Sequence, residues 1–140
     1  ENYFRMGQVY YYKKIPALSV DNYKKALELN SNLKFTYYNL GLTYLMLSRD
    51  KQNTIQSWEA YLRVAPEDPQ YEKIRRVIEL LRDPNFVLPP ADSDISIEEA
   101  LHLGGATLKS KEHEAKQQKA DHEQRKTKTN IEEVYRDDEL

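Results

Sequence analysis

Apolar side chains recur through the first half of the chain at helical spacing, and the same spacing then returns. Tyr3, Met6, Val9 and Tyr10 predict one helix over Asn2 to Tyr12, and Val20, Tyr23, Ala26 and Leu27 a second over Ser19 to Leu29, joined around Ile15 and Pro16. After a polar break at Asn30, Ser31 and Asn32, the reading repeats from Phe35 to Leu47 and from Thr54 to Val64, with Ser48 to Asn53 as the turn. Tyr3, Met6, Gly7 and Tyr10 return as Tyr37, Leu40, Gly41 and Tyr44, each 34 positions on. Tyr23, Ala26 and Leu27 return as Trp58, Tyr61 and Leu62, each 35 positions on, so one residue has been added between Tyr44 and Trp58. Insertions in repeats usually fall in turns, and the inter-helix turn is its expected place. Gly7 and Gly41 lie inside predicted helices, where glycine costs about 1 kcal/mol relative to alanine. Close approach of the partner helix is the expected reason.

The pattern then changes. After Pro66, Glu67, Asp68 and Pro69 comes a fifth helix with the apolar stripe Tyr71, Ile74, Val77, Ile78 and Leu81 and a charged outer side, the design of a helix that caps an array of repeats. Pro84, Pro89 and Pro90 forbid helix between 83 and 94, which predicts an extended linker. Ser96 followed by Glu99 is a capping box opening a short amphipathic helix within 95–108, ended or bent at Gly104 and Gly105. From Lys109 to Asn130 the only apolar side chains are Ala115 and Ala120, so this stretch is read as a charged arm, helical or extended, ordered by contact with something else. Ile131, Val134 and Tyr135 return to helical spacing near the end.

Among 140 residues the overall charge is −2, but it is arranged in blocks. Glu1 to Arg82 holds 13 Lys/Arg against 9 Asp/Glu, whereas Asp83 to Leu108 holds none against five. No run of 18 apolar residues exists to span a bilayer, and a chain without cysteine has no disulfide or thiolate site. The pattern is already running at Tyr3, which predicts an internal fragment or a processed chain, with a cytoplasmic setting favoured and periplasmic or lumenal ones left open.

The segments Tyr3-Phe4-Arg5-Met6-Gly7-Gln8-Val9-Tyr10 and Tyr37-Tyr38-Asn39-Leu40-Gly41-Leu42-Thr43-Tyr44, with Ala26-Leu27-Glu28-Leu29 and Pro66, resemble tetratricopeptide repeats over about the first half of the chain. Ser19 and Thr54 depart from the family's usual alanine, and Tyr61 from a usual small residue. The resemblance implies an all-α solenoid: two helix-turn-helix repeats and a capping helix over 1–82, then the linker 83–94, the short helix of 95–108 and the arm of 109–140. It also implies a concave face built from the first helix of each repeat. That projection gathers Phe4, Gln8 and Tyr11 with Phe35, Tyr38, Asn39, Leu42 and Leu45, an aromatic groove for an apolar or amphipathic peptide. Packing against an upstream repeat, or plain burial in the core, would use part of the same stripe. The clamp that some members form on the carboxylate of a peptide tail is not expected, because Phe4, Gln8 and Phe35 stand where it would need lysine, asparagine and lysine, and only Asn39 fits.

Little points to chemistry. His102, His113 and His122 lie outside the repeats, each without a second histidine one turn away, and Gly104-Gly105 lacks the strand and lysine of a phosphate loop. No cofactor motif and no metal site is read. The basic residues of the arm are interleaved with acids and lack aromatic residues for stacking, which argues against nucleic acid. The terminal Asp137-Asp138-Glu139-Leu140 resembles a retention tetrapeptide with Asp in the leading position. The expected function is a non-catalytic protein-protein scaffold or assembly subunit: the groove takes one partner, while Ile97, Leu101, Ile131, Val134 and Tyr135 pin the chain to a larger complex. Self-association is compatible with this, and two other readings are a self-regulated adaptor whose arm plugs the groove and a co-chaperone-like adaptor for acidic peptide tails. If repeats and arm divide in this way, removing Asp83 to Leu140 should leave the repeats folded.

Overall fold

A computed structural model describes residues 2–108, and among them all regular structure is helical. Helices α1 (Tyr3–Tyr12) and α2 (Pro16–Leu29) form one hairpin, and α3 (Lys34–Leu42), continued by a π-helical turn at Thr43–Leu47, forms a second with α4 (Lys51–Val64). Helix α5 (Tyr71–Arg82) packs along α4, and a short α6 (Ile97–Leu103) follows a helix-free stretch. By its contacts the chain divides into Glu1–Leu108 and Lys109–Leu140, and the arm expected at 109–140, with Ile131, Val134, Tyr135, His113 and His122, lies outside the described residues. None of the described helices is long and apolar enough to cross a membrane.

The glycines explain how each hairpin closes. A Cβ on Gly7 would meet the Tyr23 ring at 2.5 Å, and one on Gly41 would occupy the space of the Trp58 indole. Tyr23 and Trp58 are at matching positions of the two hairpins and are 1% and 0% exposed, so both rings lie directly on glycine backbone. The same contacts are tied by polar bonds. Ser19 Oγ donates to the Gly7 carbonyl at 2.8 Å, and Thr54 Oγ1 reaches the Gly41 carbonyl at 3.4 Å besides its bond to the Asp50 carbonyl at 2.7 Å. Trp58 Nε1 donates to the Tyr38 carbonyl at 3.1 Å. Ser19 Oγ also lies 3.3 Å from Thr43 Oγ1, which joins the first hairpin to the second. Ser19, Thr43 and Thr54 are fully buried, and among the described residues no buried side-chain N or O atom lacks a hydrogen-bond partner. The hydroxyls at 19 and 54 thus stitch helix to helix where alanine could only pack.

The added residue is absorbed inside a helix rather than in the turn beyond it. In the first hairpin the N–H of Ile15 donates to the Tyr10 carbonyl at 2.9 Å and that of Lys14 to the Tyr11 carbonyl at 3.0 Å, with Lys14 left-handed at φ 59°, a Schellman ending. In the second, Arg49 takes the matching left-handed place at φ 50°, but the closing bond runs from Asp50 to Tyr44, one residue longer, around the π-helical turn. A single insertion in a helix that keeps both flanking faces in register produces a π-bulge. The helices differ in how they start. Asp50 caps α4 by accepting from the Asn53 N–H at 3.0 Å, whereas α2 begins at Ile15 with no side-chain cap and relies on Pro16 at its first position.

The main core joins Leu45, Ile55, Trp58 and Tyr61 to Ile74, Val77, Ile78 and Leu81 of α5, and also to Ile97, Leu101, Ala106 and Leu108. The stretch after α5 is therefore part of the packed body. Lys51 Nζ donates to the Phe86 carbonyl at 2.6 Å and Arg49 Nε to the Pro89 carbonyl at 3.2 Å, so the 83–94 stretch is fixed along its first half. Residues of 97–108 thus share one core with Leu45, Trp58 and Leu81, and truncation before 83 would remove that part of it.

Gly41→Ala should lower the midpoint of thermal unfolding despite alanine's better helix propensity. The methyl displaces a buried indole that cannot move without losing its bond to Tyr38, and overpacking of this kind costs about 1–3 kcal/mol. Lys14→Gly should raise the midpoint, since a left-handed non-glycine residue costs about 1 kcal/mol. Arg49→Gly should gain less, because it also gives up the bond to Pro89.

Candidate functional site

The projected groove stripe falls on successive turns of α1 and of α3 with its π-helical continuation, and the structure sorts its members. Leu45 is fully buried in the main core, and Tyr38 and Leu42 are half-buried against it. The π-helical turn carries Leu45, so the inserted residue sets the direction of this side chain. Tyr38 stacks on Trp58 with ring centroids 5.8 Å apart and planes inclined by 13°, and meets Tyr61 at 6.0 Å. Phe4, at the matching place in the first hairpin, instead meets Tyr23 edge-on at 5.9 Å. Tyr11, at the place matching Leu45, is half-buried with its edge on Tyr12. Gln8 is half-buried, as is Asn39, whose carbonyl accepts from Thr43. Phe35 stands apart at 60% exposure, under the Lys34 ammonium 5.0 Å from its ring centre.

Helix α6 contributes to the core that Leu45 enters. Ile97 and Leu101, one turn apart on α6, are 5% and 0% exposed and belong to the same core as Leu45. Both were expected to pin a foreign subunit, and in this structure both are enclosed by their own chain. Burial, the Glu98 carboxylate and Tyr11 together push the Tyr38 hydroxyl up to about 12. Burial, Tyr12 and again Glu98 raise that of Tyr11. One acidic residue of α6 thus contributes to the raised values of tyrosines in both hairpins.

Helix α6 is complete in itself. Ser96 Oγ accepts from the Glu99 N–H at 3.1 Å, as the capping-box reading expects. At the other end Gly105, left-handed at φ 88°, sends its N–H to the His102 carbonyl at 3.0 Å, and the Ala106 N–H reaches the Leu101 carbonyl at 2.9 Å, a Schellman ending. Gly104 is needed for a different reason: a Cβ there would lie 2.7 Å from Leu80 Cδ2, so the chain passes tightly over α5. His102 is on the exposed side.

A polar corner holds the other end of the second hairpin. Asp68, its side chain 7% exposed, accepts from Lys34 Nζ at 2.8 Å, from the Gln70 N–H at 2.8 Å and from the Tyr61 hydroxyl. This gives Tyr61 a role that a small residue could not fill, linking the start of α3, the end of α4 and the approach to α5. Burial pushes the Asp68 carboxyl up, but its bonds from Lys34, Gln70 and Tyr61 outweigh that and hold it below its ordinary value of 3.8. Nothing in the spacing of apolar residues signals this corner; the pairing of Lys34 with Asp68 emerges only once the helices are packed.

Comparison with known proteins adds no assignment: no protein-family model, no curated protein and no solved structure matches the chain.

A carboxyl whose folded pKa is depressed adds stability above its unfolded pKa and loses it as pH falls through the folded value. Unfolding free energy should therefore decline as pH drops below about 3.8. Asp68→Asn should be less stable at neutral pH and should show a weaker decline, measured by urea titrations across pH 2–6, a range spanning about two units either side of the ordinary carboxylate pKa.

Proposed function

We propose that this chain is a non-catalytic protein-binding module, a tetratricopeptide-like solenoid of two repeats closed by α5, whose groove takes an apolar or amphipathic helix. It serves as a scaffold or assembly subunit, with the arm of 109–140 docking onto the rest of a complex. The observation that carries this reading is the seating of α6, a helix held through Ile97 and Leu101 in the core that Leu45 enters and that Tyr38 and Leu42 flank. A groove that takes one such helix has the shape and polarity to take another. The matched glycine-on-ring contacts support the repeat assignment, because they put the same close helix pairing at the same place in both hairpins.

An acidic chain end is a poorer fit. The groove side carries Tyr38 and Leu42, and Phe4, Gln8 and Phe35 supply no cation to hold a carboxylate. Rings and aliphatic chains give contact area that ionic strength hardly affects.

A photo-crosslinking residue placed at Gln8, half-buried at the groove side, should capture a protein partner through an apolar helical segment when the full chain is expressed in cells. The same residue at Lys24, exposed on α2, should not. The complex should persist as salt rises from ~0.1 M to ~1 M, over which the screening length falls from about 10 Å to about 3 Å. Equal capture at both positions, or loss of the complex in salt, would contradict the groove reading.

A further inference from the structure

Resting on that reading, we infer that residues 96–108 are a displaceable latch, and that the groove's outside partner is a helix of the same make: two aliphatic side chains four residues apart, the first of them opening a first turn that carries acidic residues. The chain's own segment is then a stand-in that the partner must evict.

Three observations carry this. First, α6 satisfies its own backbone, with Ser96 at one end and the Gly105 turn at the other, so its release orphans no helix-end hydrogen bond. What it uncovers is apolar surface around Ile97 and Leu101, which a similar helix can cover again. Second, the tether divides into a fixed and a free part. Lys51 holds the Asp83 and Phe86 carbonyls and Arg49 holds the Pro89 carbonyl, whereas 90–92 and 94–96 are exposed. The latch can therefore swing at 91–95 while the stretch before it stays in place. Third, the charges are complementary. Residues 83–108 carry five acids and no Lys or Arg, against a body of 1–82 with 13 Lys/Arg and 9 Asp/Glu. Glu98 and Glu99 occupy the first turn of α6, where negative charge also favours the helix.

Tethering makes the latch a strong competitor, because a short flexible linker holds its end at an effective concentration in the millimolar range. Weakening its anchor should therefore admit an outside helix. The test uses the full chain, wild type and Leu101→Ala, with a fluorescent synthetic peptide of this chain's own residues 94–108 as the probe. We expect the peptide to bind the variant at least ~10-fold more tightly than the wild type. Equal affinity for both would overturn the latch and leave the groove reading standing. Binding to neither, with the variant still unfolding cooperatively, would overturn the groove reading and the latch with it.

Should Leu101→Ala fail to fold, hydrogen exchange in the wild type decides. The amides of Ala100, Gly104 and Ala106, bonded in or onto α6, should exchange at least ~100-fold faster than those of Trp58 and Tyr61 in α4, reporting local opening. Exchange of both sets at one common rate would show that 96–108 opens only when the whole body unfolds, and the proposal would fall.

Discussion

Each of the two hairpins closes because its helices approach until an aromatic ring rests on bare backbone. Gly7 under Tyr23 and Gly41 under Trp58 permit the approach, and the hydroxyls of Ser19 and Thr54 hold it by reaching the carbonyls of the same glycines. Dispersion and burial of a large ring favour the contact strongly, and a gap of about 0.5–1 Å already forfeits a quarter to a half of the dispersion well. The hydroxyl bonds and the Trp58 bond to Tyr38 are directional, so they add an angular constraint to the close packing.

How much of this can be read from the sequence differs with the range of the interaction involved. Helices α1 to α5, the capping box of α6 and the reason for Gly7 and Gly41 follow from local spacing, since period, caps and misplaced glycines are local signals. The inserted residue was visible as a change of offset from 34 to 35, yet its place was not. A π-helical turn at Thr43–Leu47 and a longer loop leave the same trace in the sequence, and only packing of Leu45 inward and Arg49 at a left-handed position selects between them. Likewise, Ser19 and Thr54 read as exceptions to alanine until their acceptors are seen across the helix pair.

The stripe that the resemblance projects is only partly one surface. Leu45 lies in the core that Tyr38 and Leu42 pack against, whereas Phe35 is exposed and Phe4 meets Tyr23. The fate of Ile97 and Leu101 was the larger surprise. An amphipathic helix after a proline-bounded stretch reads equally well as a hook for another protein or as a piece of the chain's own core, because the pattern records that a face must be buried and not by whom. Here the chain buries it against its own second hairpin and α5. If a partner helix uses the same surface, folding and binding draw on one patch of apolar area, and stability and affinity are linked through the occupancy of that patch.

The most direct measurement is a set of methyl nuclear Overhauser contacts in the full wild-type chain, with the Leu101 methyl groups as the origin. Contacts from Leu101 to Leu45, Val77 or Ile78 are predicted, since all four belong to one buried core. Leu101 methyls free of such contacts and resonating as in an unfolded peptide would contradict the burial of α6 in this core, on which both the proposed binding mode and the latch rest.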